Sequence, residues 1–289
     1  MTAPPPRTGD LIGVGWMLAT GLCMVALNGV VRYIGPGLPA AEQAFLRFAF
    51  GLVFLAPTLA VVLRRGFAPR VWRLFGLRGL LHSLASLMWF FAMTRIPLAE
   101  VTAIGYLNPV VVMVGAALLL GERLSRARIL AVAVALAGAM ILLRPGLREL
   151  GQGHAAQIMA SVMFGLSYLV AKRLTGLVRP SAVVAMMTLT VTLGLAPVAL
   201  WHWVPPTPGQ VGLLAVAAGL GSLGHYCMAR AFAAAPLAVT QPVTFLQLVW
   251  ATALGVLAFG DPVDPWVLIG GAVMIAAISA VTWVESRPL

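Results

Sequence analysis

Two histidines, His82 and His225, sit in the middle of long apolar stretches, within one helical turn of equivalent positions in two related halves of the chain. An imidazole at such a depth can hydrogen-bond a solute or exchange a proton near neutral pH. A neutral ring satisfied by a neighbouring helix accounts for it equally well. Amides and aromatics are matched in the same way: Tyr106 and Asn108 stand before Pro109, and Phe245 and Gln247 follow Pro242. An amide in an apolar segment must find its partner away from lipid, so these groups are expected to face inward, across an axis relating the halves. Asn28, Trp89, Phe164, Tyr168 and Gln241 are further polar or aromatic residues within apolar runs. Such a lining offers aromatic faces to apolar groups and amides or imidazoles to polar ones, which suits zwitterionic or amphipathic cargo. Taken singly, each residue could equally serve as glue between helices.

Arg47 is the one cation expected well inside an apolar segment, and an intramembrane charge is functional by default. It lies close enough to the segment's end to pair with Glu42 or Glu100, and that pairing is expected over contact with a solute. The eight carboxylates, Asp10, Glu42, Glu100, Glu122, Glu149, Asp261, Asp264 and Glu285, all fall in loops or near segment ends. No carboxylate proton relay is therefore expected at mid-depth. Nor do metalloprotease, phosphate-loop, serine-hydrolase or paired-carboxylate motifs occur. No enzyme activity, metal or cofactor is expected. Gly219, Gly221 and Gly224 satisfy the dinucleotide fingerprint by spacing, yet no strand precedes them and no acid follows at the required distance. They are expected to serve close helix packing. Cys23 and Cys227 both lie in apolar runs and read as packed thiols.

These residues are carried by a chain of 289 residues that is 61% apolar and only 9% charged, with a mean hydropathy of +0.99. A soluble domain carries charge on about a quarter of its residues, so this is an integral membrane protein. Pro, Gly and Arg divide it into ten apolar segments, at 11–34, 40–63, 72–94, 99–120, 126–144, 154–174, 180–201, 210–233, 237–259 and 265–284. Each approaches the roughly 20 residues that a helix needs to cross a bilayer. The first segment follows Arg7 as a signal sequence would, but it is too long for one and is expected to remain as a helix. Asp264 before Pro265, Thr207 before Pro208, and Ser125 are expected helix caps.

The net charge of +11 orients the segments. The basic residues lie in short loops, not on one helical face, so nucleic acid is not an expected partner. With the N-terminus inside, most of them, including Arg64, Arg65, Arg70, Arg73, Arg78, Arg123, Arg126 and Arg128, fall on the cytoplasmic side. Arg32, Arg95, Arg144 and Arg148 fall outside. That bias places both termini in the cytoplasm.

The halves are related to one another. The stretch from Pro97 to Ile141 reappears without a gap from Pro236 to Ala280, about 140 residues later. In this alignment Gly121 and Glu122 fall on Gly260 and Asp261, and with slight shifts Arg32 falls on Arg173 and Pro57 on Pro197. Two units follow, 1–150 and 151–289. Five segments in each, an odd number, put the second copy into the membrane upside down relative to the first. The expected fold is all-α, with ten transmembrane helices as two inverted five-helix repeats around a central cavity.

The run from Leu98 to Pro109, the Gly121-Glu122-Arg123 turn and the Gly138-containing segment resemble the EamA-type repeat of the drug/metabolite transporter superfamily. The second copy is similar but more degenerate, with Asp261 in place of the glutamate. Within that superfamily the chain looks most like bacterial amino-acid and metabolite exporters of the YddG type. The resemblance implies a cavity lined by the first, third, fourth, sixth, eighth and ninth segments. It also implies export of amino acids or related small metabolites across the inner membrane by alternating access. The expected partners are a small-molecule solute and the bilayer, with a monomer as the working unit. Two alternatives stand beside this reading. An organophosphate, nucleotide-sugar or drug antiporter would want several Lys or Arg converging on the cavity, and a membrane-embedded lipid enzyme would need an acid cluster or activated nucleophile.

Overall fold

The computed structural model of the chain describes residues 8–120, 126–147, 149–201, 203–234, 243–244 and 246–285. Among these, helices account for nearly the whole chain: α1 (Thr8–Ile34), α2 (Ala40–Arg65), α3 (Pro69–Met93), α4 (Leu98–Gly105), α5 (Leu107–Leu120), α6 (Arg126–Leu143), α7 (Gln152–Thr175), α8 (Pro180–Trp201), α9 (Pro208–Ala234), α10 (Leu246–Phe259) and α11 (Pro265–Glu285). Six of them, α1, α2, α3, α7, α8 and α9, are long and apolar enough to cross a membrane. Four further apolar helical stretches, Leu98–Val112, Ile129–Leu143, Leu246–Phe259 and Pro265–Ala280, are shorter. Large apolar side chains such as Leu22, Phe54, Leu118 and Leu257 are exposed on the outer surface, as lipid contact requires.

Local chemistry fixes several boundaries. Asp264 Oδ1 accepts the Trp266 N–H at 2.9 Å, and Thr207 and Gln210 exchange side-chain bonds to each other's N–H at 3.3 and 2.9 Å. Both caps were expected from the sequence; the one expected at Ser125 lies outside the described residues. The segment expected as one helix over 99–120 is broken at Tyr106 into α4 and α5. Pro109 has no N–H for the Gly105 carbonyl, and its ring crowds that carbonyl, which favours a break at this point. Tyr106 N–H closes a tighter turn onto Ala103 O at 3.1 Å instead.

The packing is pairwise and cross-half. α1 lies against α9 and α3 against α7; α2 meets α8, α6 meets α11 and α4 meets α10. α2 also touches α9, and α3 touches α8. Exchanging each first-half helix for its counterpart in the second half turns α1–α9 into α3–α7 and α2–α9 into α3–α8, and leaves α2–α8 and α6–α11 as they are. Small residues make the crossings close. A Cβ on Gly138 would lie 2.8 Å from the Gly270 carbonyl oxygen, so α6 and α11 touch backbone to backbone. The main core, including Phe48, Phe90, Met93, Leu98, Ile104, Met187, Leu248 and Met274, is filled from both halves.

Candidate substrate-binding site

α2 turns a stripe of residues at helical spacing, Arg47, Gly51, Leu55 and Thr58, towards α8 and α9. Between the three helices lies a cavity of about 320 Å³. Its polar groups are Arg47 and Thr58 from α2, Ser181 and Thr188 from α8, and Ser222, His225 and Tyr226 from α9. No carboxylate is among its lining residues. A cleft of about 10 Å³ beside Glu100 and Asp264 has room for about one water.

Arg47 is held differently from the expectation. Neither Glu42 nor Glu100 pairs with it: Glu42 Oε2 accepts the Val204 N–H at 3.0 Å, and Glu100 Oε2 lies 2.7 Å from His154 Nε2. Both acids are already engaged in joining helix ends. The Arg47 guanidinium instead lies over the Phe48 ring, 4.1 Å from its centroid, and its buried Nε has no hydrogen-bond partner. Its Nη2 occupies the space where a Cβ on Gly221 would sit. Gly221, read in the sequence as a packing residue, thus makes room for a charge. Gly224 does pack closely, its absent Cβ replaced by Met24 and Cys23 of α1, whereas Gly219 faces open space.

Arg78, counted by the sequence on the cytoplasmic side and within the segment 72–94, is only 6% exposed and reaches from α3 to α8. It donates to Val183 O at 2.9 Å and to Met187 Sδ at 3.2 Å, and among the described residues it has no carboxylate partner. Pro69 starts α3 nine residues earlier, so Arg78 stands about 13 Å along the helix and out of the rim.

The two histidines part company. His225 faces the cavity. His82 is buried, with Nδ1 3.3 Å from the Ser167 hydroxyl on α7, and packs edge-on against Phe48 and Phe164, whose centroids are 6.0 and 4.9 Å away. Phe164 in turn stacks on Tyr168 at 6.4 Å, so three candidates, His82, Phe164 and Tyr168, form one cluster behind the cavity wall. His82 remains within electrostatic reach of Arg47, Arg78 and His225.

The other candidates lie apart from this cavity. Tyr106 is 8% exposed within the main core. Asn108 opens α5, where its carbonyl approaches Gly165 of α7, and Gln247 packs against Gly21 of α1. Asn28 is half-buried on α1, and Trp89 packs edge-on against Phe90 at 5.0 Å. Gln241 and Phe245 lie outside the described residues, so the matching of Phe245 with Tyr106 is not described. The observed cavity uses the second and seventh expected segments, which the family pattern did not mark. Of its polar residues the sequence singled out Arg47 and His225; Thr58, Ser181, Thr188 and Ser222 stood there only as single hydroxyls within apolar helices.

At the end of the bundle where α1 meets α2, side chains tie the halves together. Arg32 bonds Asp261 Oδ1 at 2.7 Å and also reaches the Ile96 carbonyl, while Asp261 Oδ2 accepts the Leu98 N–H at 3.1 Å. Arg144 pairs with Asp264, the cap of α11. Gly260, with φ of 67°, turns the chain so that Asp261 folds back beside Gly255. Asp261, placed by the sequence in a loop or near a segment end, here joins α1 and α4 to the turn before α11.

Comparison with known proteins agrees with this architecture. The EamA-like transporter family model matches twice, at residues 11–144 and 152–283. The riboflavin transporter of Rhizobium johnstonii is 30% identical over 92% of this chain and 89% of its own length. The S-adenosylmethionine uptake transporter of Rickettsia prowazekii is 24% identical, covering 96% of this chain and 95% of its own. The pseudopaline exporter CntI of Pseudomonas aeruginosa is 27% identical, over 94% and 97% respectively. A solved crystal structure shares the fold with a TM-score of 0.60 over 97% of this chain and 99% of that one, at 21% identity. The chain is a multi-span membrane protein that belongs to the EamA-like transporter family, within the drug/metabolite transporter superfamily.

Proposed function

We propose that this transporter exports amino acids or related small metabolites across the inner membrane by alternating access between units 1–150 and 151–289. The observation that carries this reading is the cavity of about 320 Å³, mostly apolar with a few polar groups, between α2 of one half and α8 and α9 of the other. That size suits a small solute, and a site shared between repeats is the arrangement that rocking of one repeat against the other can expose alternately. Taking the four shorter apolar helical stretches as spans beside the six long ones makes ten in this reading. Five spans per half make the repeats inverted, and the exchange symmetry of the cross-half contacts supports a two-fold relation between them. The excess of basic residues in the loops at the other end of the bundle from Arg32 supports cytoplasmic termini. In that orientation the ties at Arg32, Glu100 and Arg144 lie on the outer side, and the cavity extends from Arg47 towards the cytoplasmic ends of α2 and α8.

Asn28, His82, Trp89, Tyr106, Asn108, Phe164, Tyr168, His225, Gln241, Phe245 and Gln247 remain the wider proposed binding set. His225 meets the observed cavity directly. The test is counterflow of labelled solutes into proteoliposomes preloaded with a panel of amino acids, purines and drugs. Counterflow of one or more amino acids supports the assignment; counterflow confined to another class of solute overturns the cargo, and none at all overturns transport of these compounds.

A further inference from the structure

The cavity has a cation and no anion to match it. Arg47 has no carboxylate partner among the described residues, and its buried Nε makes no hydrogen bond. Arg78 is bonded to a carbonyl and a thioether, and the neighbouring ionisable groups, His82, His225, Tyr168 and Tyr226, bring no negative charge near neutral pH. Among the described carboxylates, Glu42 Oε2 bonds to Val204, though its Oε1 is without a partner, Glu100 bonds to His154, and Asp261 and Asp264 bond to arginines. A guanidinium within a membrane protein costs free energy unless an opposite charge or a set of acceptors meets it. The aromatic face of Phe48 meets part of that need, and the open side of the guanidinium faces a solute-sized space.

We propose that this space is an oxyanion subsite: the transported solute places a carboxylate or phosphate group against Arg47, with the hydroxyl of Ser222 lining the same space. This rests on the transporter reading and narrows its cargo to organic anions and zwitterions, excluding solutes that are only cationic. Arg is suited to the task because its planar fork meets two oxygens of one oxyanion at once. Gly221 is the positioning residue. A methyl group there would occupy the place of Arg47 Nη2 and push the guanidinium out of register.

The test uses the full-length purified chain in detergent, titrated calorimetrically with indole-3-acetate, its neutral amide, tryptamine and phenyl phosphate. Indole-3-acetate or phenyl phosphate should bind at least tenfold more tightly than the amide, and tryptamine should not bind. Which of the two anions binds more tightly identifies the carboxylate or the phosphate as the preferred group. Arg47→Gln should weaken the preferred anion at least tenfold, Arg47→Lys by less, and Gly221→Ala severalfold with the charge retained. Without ligand, Arg47→Gln should melt at or above the wild-type temperature, because it removes an unpaired charge; a structural arginine would lower it. Equal binding of the acid and its amide, unchanged affinity in Arg47→Gln, or displacement of the probe by phosphatidylglycerol would overturn the proposal. Failure of counterflow with anion binding intact would instead count against the transport reading alone.

Discussion

Arg32 and Asp261, 229 positions apart in sequence, form an ion pair at 2.7 Å that joins the end of α1 to the turn between α10 and α11. Both side chains are largely shielded, at 19% and 10% exposure, so neither is well solvated if the other is removed. Breaking such a pair costs about 3–5 kcal/mol in buried settings and less at partial exposure. Asp261→Asn should therefore lower the melting temperature in detergent by about 5 °C or more. Arg32→Asp combined with Asp261→Arg should recover only part of the loss, because arginine at 261 cannot accept the Leu98 N–H. Full recovery, or no loss in the single variant, would remove this tie from the account.

The glycines of the GxGxxG run separate by what faces them. Gly224→Ala pushes into Met24 and Cys23 of α1 and should destabilise the fold by about 1–3 kcal/mol. Gly219→Ala meets nothing and should be neutral or slightly stabilising, since alanine favours helix by about 1 kcal/mol over glycine. Thermal unfolding of the two variants in detergent checks the contrast, and equal effects would contradict it.

The α6–α11 crossing has less room to relax. Gly270→Ala sets a methyl group 2.5 Å from the Gly138 carbonyl oxygen, and backbone cannot yield as a flexible side chain can. A loss of about 2–3 kcal/mol is expected, with reduced yield of monodisperse protein. Wild-type yield and melting temperature would show that the helices part easily.

Tyr106 distinguishes a packing role from a binding role. Its ring is buried in the main core, so Tyr106→Ala should cost about 3–5 kcal/mol and lower folded yield, with transport loss following the loss of protein. Thr188→Val, on the cavity wall, should leave folding intact and weaken transport severalfold. Transport per folded molecule, measured in proteoliposomes, separates the two. Normal folding of Tyr106→Ala with severe transport loss would restore Tyr106 to the binding surface.

Much of this architecture is written in the chain. The punctuation by proline and glycine, the caps at Thr207 and Asp264, and the recurrence from Pro97 in the stretch from Pro236 all act through local geometry, which sequence spacing carries directly. The break at Tyr106 is not legible in this way: the segment reads as one helix over 99–120, and Pro57 and Pro197 lie inside helices that run on, so a proline alone does not mark a break. Arg78 shows where legibility ends. The sequence puts it inside the segment 72–94 and counts it with the cytoplasmic charges; its burial against α8 depends on packing with residues over a hundred positions away. The cavity was harder still. Which face of α2 meets α8 depends on packing between residues over a hundred positions apart, and hydroxyls spread over three helices leave no motif.

The central claim, that solutes cross by alternate exposure of a site between the halves, is tested most directly by counterflow through a chain locked at its outer tie. Arg32→Cys and Asp261→Cys, in a background with Cys23→Ser and Cys227→Ser, would be bridged by a short bismaleimide cleavable by reductant. Before bridging, the variant should exchange solute; once bridged, counterflow should fall to the level of empty liposomes, and cleavage should restore it. Undiminished counterflow through the bridged protein would contradict alternating access at this end of the molecule.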